Sequence, residues 1–253
     1  MQIAMVIDLL KCTGCGACAL ACKSGNNTRD RDRAKGQTFN WGDFSIETAG
    51  TYPDFRYTAR PVMCNHCSNA PCVEACPVTP KAIFKTKDGL TMTNNERCIG
   101  CRLCQAACPY SKEEVKEGEY SVISFNEFNA PSQPYASDRR PLIRNGTASG
   151  AEIANKAGAN PPHRTRYAHP DYEDVRRAGV VEKCTFCDQR VKKGEAPYCV
   201  AACPAGARVF GDRDNPASEV ARLLSKYKAA VLKPEAGTQP NVFYIRSYQA
   251  TRA

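Results

Sequence analysis

The sequence predicts an α+β protein of two small modules, each built on a pair of four-cysteine runs and related by pseudo-twofold symmetry. A long irregular insertion and a C-terminal helix with an extended tail complete it. Three observations lead there. The sixteen cysteines of the 253 residues fall as four complete quartets with none left over: 12, 15, 18 and 22; 64, 67, 72 and 76; 98, 101, 104 and 108; and 184, 187, 199 and 203. The second and third quartets stand only 21 residues apart and enclose a hairpin signal. The intervening segments are short and alternating rather than long and helix-periodic.

Taken in order, Ala4 to Asp8 reads as a strand leading into the first quartet, and residues 24–60, polar and glycine-rich, as a surface excursion. Two alternating segments flank Asp88-Gly89, a dipeptide that favours a tight hairpin turn. Ser121 to Phe125 reads as a strand. Residues 126–179 then hold six of the seventeen prolines and eight Arg or Lys, so they are read as an irregular insertion, either a solvated loop or a partner-docking surface. Ala207 to Phe210 makes a further strand. Asn215 as N-cap and Pro216 at the first helical position start a helix with Val220, Leu223, Leu224 and Tyr227 on one face. Val242 to Ile245 is the strand-like piece of the tail. The expected organisation is residues 1–30 with 180–212 as one discontinuous module, 58–125 as the other, 126–179 as insertion, and 213–253 as helix and docking tail.

The run Cys98-Ile-Gly-Cys101-Arg-Leu-Cys104-Gln-Ala-Ala-Cys108-Pro109 has the bacterial ferredoxin spacing. Soft thiolates two residues apart can wrap an iron–sulfur cube on a tight loop, and the fourth cysteine, before proline, points to a second cube. The first quartet keeps that spacing without the proline. The second lengthens one gap to four residues, and the fourth opens eleven residues between Cys187 and Cys199. Crossed ligation makes quartets work in pairs, and the compact spacing pairs the second with the third. By exclusion the first pairs with the fourth. The expected sets are Cys12, Cys15, Cys18 and Cys203; Cys64, Cys67, Cys72 and Cys108; Cys98, Cys101, Cys104 and Cys76; and Cys184, Cys187, Cys199 and Cys22, numbered here as sites 1 to 4. Two alternatives stay open: each quartet holding its own cube, and zinc or disulfides in place of iron.

The formal charge of +9 counts cysteine as neutral. Four thiolate-ligated cubes at about −2 each would cancel about 8 of those charges, so no nucleic-acid partner is expected. No run of about 18 apolar residues offers a membrane span, and the opening MQIAMVIDLLKC lacks the charged start of a signal peptide. His66 is read as a residue behind the ligands or on the surface, His163 and His169 as loop residues. Lys23, Arg102, Lys112 and Lys183 adjoin cysteines and serve either to stabilise reduced clusters or merely to solubilise. No nucleotide loop, Ser-His-Asp set or flavin fingerprint is present, so no catalytic residue is expected on this chain.

The stretches MVIDLLKCTGCGACALACK, CNHCSNAPCVEACP, DGLTMTNNERCIGCRLCQAACPY and EKCTFCDQRVKKGEAPYCVAACP resemble the signatures of the four-cluster iron–sulfur electron-transfer subunit of the dimethyl sulfoxide reductase family of molybdenum enzymes. Gly25-Asn26-Asn27-Thr28, Arg144-Asn145-Gly146-Thr147 and the end LKPEAGTQPNVFYIRSY look most like the small subunit of respiratory arsenate reductases, and polysulfide, thiosulfate and tetrathionate reductase subunits share much of that tail. Nitrate reductase relatives replace one cysteine of the third quartet, whereas all four are present here, which implies four 4Fe–4S clusters. The resemblance further implies a non-catalytic role beside a large subunit carrying molybdenum and two pterin guanine dinucleotides, with a quinol-oxidising membrane subunit or a cytochrome as electron donor. It also implies a periplasmic site reached with a partner that bears a twin-arginine signal. A free-standing polyferredoxin is the alternative from another class.

Overall fold

A computed structural model of the chain describes residues 1–26, 28, 41–111, 120–126, 128 and 178–247, together with Glu152 and Lys156. Most of the predicted insertion, including Arg144 to Thr147, His163 and His169, lies outside these residues, as does Lys112.

A three-stranded sheet joins the two ends of the chain. β1 (Ile3–Asp8) is its centre, antiparallel to β8 (Arg208–Asp212) on one side and parallel to β9 (Val242–Ile245) on the other. Every residue of IAMVID is buried: Ile3 to Ile7 are an uninterrupted apolar run between two layers, and the closing Asp8 pairs with Arg246. Ala4 and Val6 face helix α6 (Glu219–Lys226) and pack on Val220, Leu223 and Leu224, while Ile3, Met5 and Ile7 face the cysteine-rich core. The helix starts later than expected. Asn215 Oδ1 accepts from Ala217 N and closes a turn, and Ser218 Oγ accepts from Ala221 N at 3.0 Å as the true N-cap.

Three antiparallel ribbons complete the fold. β4 (Ile83–Lys85) and β5 (Thr91–Thr93) form the hairpin expected around Asp88-Gly89. β6 (Ile123–Phe125) pairs with β7 (Val181–Lys183) across the insertion. β2 (Gly42–Ala49) and β3 (Arg56–Met63) pair over their whole length, so the expected excursion at 24–60 contains a regular hairpin. Its signal is the alternation of Phe44 and Ile46 with polar residues and of Tyr57 and Ala59 with Thr58 and Arg60, diluted by a largely solvent-facing tip. The remaining helices are short: α1 (Ala17–Gly25), α2 (Pro71–Glu74), α3 (Leu103–Ala107), α4 (Asp188–Val191) and α5 (Tyr198–Ala201). Each begins at or within a cysteine run, and α1 packs on α5 as α2 packs on α3.

Candidate metal centres

Strand register brings distant cysteines together. β1 leads into Cys12 and β8 leads out of Cys203; Ile7 faces Arg208, and Asp8 N donates to Ala207 O at 2.8 Å. The β4–β5 hairpin does the same for Cys76 and Cys98, with Asn94 N donating to Ala82 O at 2.7 Å. The two returns end alike. Ala207 N donates to Cys203 Sγ and Ala82 N to Cys76 Sγ, each at 3.3 Å.

None of the sixteen cysteines is in a disulfide. One cavity, with about 340 Å³ of atom-free space, is lined by Cys12, Cys15, Cys18 and Cys203, beside Phe44 and Arg208. A second, of about 320 Å³, is lined by Cys64, Cys67, Cys72 and Cys108. A third, of about 300 Å³, is lined by Cys76, Cys98, Cys101 and Cys104. The other four cysteines also meet: Asn26 Nδ2 stands 3.6 Å from both Cys22 Sγ and Cys187 Sγ, and Cys184 lies in the electrostatic reach of Cys22, Cys187 and Cys199. Among the described residues, no three His, Cys, Asp or Glu side chains converge as a single ion requires. Four thiols spread around a cavity suit a larger, soft, multinuclear group.

Burial governs the thiols. It pushes Cys72, Cys104 and Cys108 up to about 12 and Cys67 and Cys199 up to about 11. At Cys76 burial is outweighed by the backbone N–H groups of Ile83, Val78 and Ala82, which hold that thiol below its ordinary value. Metal must therefore displace protons from most of these positions as it binds.

The four groups form a row. Cys104 of the third cavity neighbours Cys72 of the second, Cys64 neighbours Cys184, and Cys199 neighbours Cys18 of the first cavity. The ends of the row reach solvent, since Cys15 and Cys101 are exposed, whereas Cys64, Cys67, Cys72, Cys108, Cys22, Cys184 and Cys187 are buried.

One backbone feature recurs four times. The residue before the second cysteine of each quartet lies in the left-handed region: Gly14 (φ 69°), His66 (φ 44°), Gly100 (φ 72°) and Phe186 (φ 54°). The end groups use glycine. The inner groups use large rings at a conformational cost, and those two rings stack on each other with centroids 3.9 Å apart and planes 18° apart.

Two 4Fe–4S dicluster domain models match the chain, one over residues 55–123 and 162–213 and one over 11–80. The chain is 45% identical to the arsenate respiratory reductase iron–sulfur subunit of Shewanella sp. (strain ANA-3), over 98% of this chain and 97% of that protein. It is 35% identical to a putative dimethyl sulfoxide reductase iron–sulfur subunit of Halobacterium salinarum, over 95% of this chain and 78% of the relative. With a tetrathionate reductase subunit of Salmonella typhimurium it shares 32% identity over 96% of this chain and 72% of the relative. It is an iron–sulfur electron-transfer subunit of the dimethyl sulfoxide reductase family. As such it carries 4Fe–4S clusters and belongs to a multi-subunit oxidoreductase whose substrate chemistry takes place on another chain. Among the described residues of this iron–sulfur subunit, no helix is long and apolar enough to cross a membrane.

The charged residues flagged beside the cysteines fare differently in this subunit. Lys183 is fully buried and donates to Thr91 O and, at 2.9 Å, to Cys184 O, so it is no solubilising charge. Lys23 donates to Thr28 O, and Arg102 lies over the Phe125 ring at 5.1 Å. His66 is fully buried rather than on the surface. Its Nδ1 accepts from Thr91 N at 3.1 Å, and burial, then Lys183 and Lys85, keeps the ring neutral by pulling its pKa well below the ordinary value. Sequence reasoning missed Lys85, which donates to Cys67 O at 2.8 Å, and the buried Arg208.

Gly100 gives a local test. A Cβ there would lie 2.1 Å from Gly179 O, a backbone atom held by the β6–β7 ribbon, and φ already disfavours a side chain. Gly100→Ala is expected to cost the subunit part of its iron. Gly16→Ala is the control: φ is 80° but nothing lies within 4 Å of the added carbon, so only the left-handed penalty of about 1 kcal/mol applies and iron is retained. Iron per chain after anaerobic purification checks both.

Proposed function

We propose that this protein relays electrons through four 4Fe–4S clusters, to or from the molybdopterin catalytic subunit of a respiratory arsenate reductase. The four crossed ligand sets are those read from the spacing, sites 1 to 4, and the single observation that carries them is that three cysteine-lined cavities each draw three cysteines from one quartet and the fourth from its partner. The donor sets fit the group chemically, being four soft thiols in each case, and three of the sets surround a cavity.

The cubes would supply one-electron storage; the chain's own residues hold them in the row 3, 2, 4, 1, bury the inner two and leave the outer two close to solvent. Sites 3 and 1 are therefore the entry and exit, one facing the molybdenum subunit with its bis(pterin guanine dinucleotide) and the other a quinol-oxidising membrane subunit or cytochrome. Residues 1–30 with 180–212 form one ferredoxin-like module and 58–125 the other. The twinned returns at Cys203 and Cys76 and the stacked His66 and Phe186 support a pseudo-twofold relation between them. The insertion 126–179 and the extended part of the tail 213–253 are partner-docking segments, while the helix and β9 of that region pack on β1. Residence in the periplasm follows if the chain is exported folded with a twin-arginine partner.

Arsenate is chosen because the 45% identity spans nearly the whole of both chains. Anaerobic purification of the native complex should give about sixteen irons per chain with molybdenum in the co-purifying large subunit. The reduced clusters should be reoxidised by arsenate. Zinc at one per quartet would defeat the cluster reading; reoxidation by tetrathionate or polysulfide and not by arsenate would move the subunit to a sulfur-compound reductase.

A further inference from the structure

Arg208 opens β8 opposite Ile7 and is buried. Its Nη2 lies 3.3 Å from Cys18 Sγ, and its Nη1 lies 3.6 Å from the sulfurs of both Met5 and Met63. The side chain lines the cavity of Cys12, Cys15, Cys18 and Cys203 and is also in electrostatic reach of Cys199, in the neighbouring group. Among the described residues no carboxylate forms an ion pair with it, and the nearby Tyr244 hydroxyl, pushed up by burial, is neutral and donates to Pro61 O. An ion buried among methionines with no counter-charge is prohibitively unfavourable. The thiolates of two cysteine groups are the anions within reach.

We propose that Arg208 is the shared counter-cation of sites 1 and 4, placed between them so that both become easier to reduce; this rests on the ligand sets of the preceding subsection. A cluster gains negative charge on reduction, and a fixed cation beside it favours the reduced form, raising its potential. The planar guanidinium spreads one charge over several donors and so serves two neighbours at once, which a single ammonium does less well. The cysteines on which Arg208 acts electrostatically are Cys18 and Cys12 of site 1 and Cys199 and Cys22 of site 4, so its effect falls on these two sites.

The test is an anaerobic redox titration of the intact complex, followed by electron paramagnetic resonance, on the native protein, Arg208→Gln and Arg208→Lys. With Gln, two of the four midpoints are expected to fall by at least the equivalent of a tenfold change in the reduction equilibrium, 59 mV for one electron, and the other two to stay. Lys should restore most of the fall. Full iron with unmoved midpoints, an equal shift of all four, or no recovery with Lys would overturn the proposal. If Gln loses iron, Lys decides: retention of four clusters shows that a cation is what the site needs, and loss with Lys as well leaves Arg208 a purely steric role and overturns it. Failure of the ligand sets would show differently, as a Cys203→Ala spectrum that matches Cys199→Ala rather than Cys15→Ala.

Discussion

On the proposed ligand sets, Cys203→Ala is expected to abolish the cluster of Cys12, Cys15 and Cys18 while leaving intact the one of Cys184, Cys187 and Cys199, its own neighbours in sequence. The reason is the sheet. β1 and β8 are in antiparallel register from Ile3 opposite Asp212 to Ile7 opposite Arg208, which sets the loop after Asp8 beside the loop before Arg208. Cys203 and Cys12 sit on those two loops and share a cavity, whereas Cys199, one helical turn before Cys203 on α5, neighbours Cys22 and Cys187. Iron should fall by about a quarter, or by less if a three-iron remnant survives on the remaining thiolates. Iron analysis with electron paramagnetic resonance decides it by comparison: the signal missing in Cys203→Ala should be the one missing in Cys15→Ala and should persist in Cys199→Ala. A Cys203 spectrum matching that of Cys199→Ala would mean that each quartet holds its own cube. Since site 1 ends the row, its loss should also stop electron exchange with one partner while the other partner still reduces or oxidises the remaining clusters.

What could be read in the sequence was what rests on spacing and on short-range turn chemistry. The quartets, the hairpin at Asp88-Gly89, the strands at β1 and β9 and the apolar face of Val220, Leu223 and Leu224 are all local patterns, and the structure holds them. The helix start was misread because Asn215-Pro216 and Ser218-Glu219 are both good starting signals, and only the turn closed by Asn215 selects between them. The β2–β3 hairpin was hidden because half of it faces solvent and its alternation is weak.

The burial of the cations was hidden for a different reason. Lys183 stood out only for its place beside Cys184 and Arg208 not at all, because both occupy strands as ordinary polar positions and nothing near them in sequence shows that they face inward. The available clue is indirect: β1 is apolar from Ile3 to Ile7, so its partner β8 must also turn alternate residues into the core, and one of them is Arg208. A sequence reader takes a charged residue as outward unless a buried anion is known to be there, and here the anion is the cofactor.

The largest effect expected outside the cysteines is at Phe186, where the Cys184–Cys187 loop touches the Cys64–Cys67 loop. Phe186 is 1% exposed, stacks on His66 and meets Phe210 edge-on at 5.4 Å, so its ring closes the wall between the Cys64–Cys67 loop and the Cys184–Cys187 loop. Both stacked residues hold left-handed backbone that glycine would adopt more cheaply, and glycine is what the end groups use at the same place. The ring contact offsets that cost. Phe186→Ala removes a buried phenyl without relieving the backbone, so a loss of about 3–5 kcal/mol is expected. For a chain of this size that corresponds to a fall of roughly 10 °C in the midpoint of thermal cluster loss. Phe186→Leu keeps most of the volume without the stacking and should lose only part of it. The cycle with His66→Ala isolates the stack, with an expected coupling of about 1 kcal/mol between the two rings. Strict additivity would mean that the rings merely fill space. A Leu variant as unstable as Ala would locate the effect in the ring stack itself rather than in the buried volume.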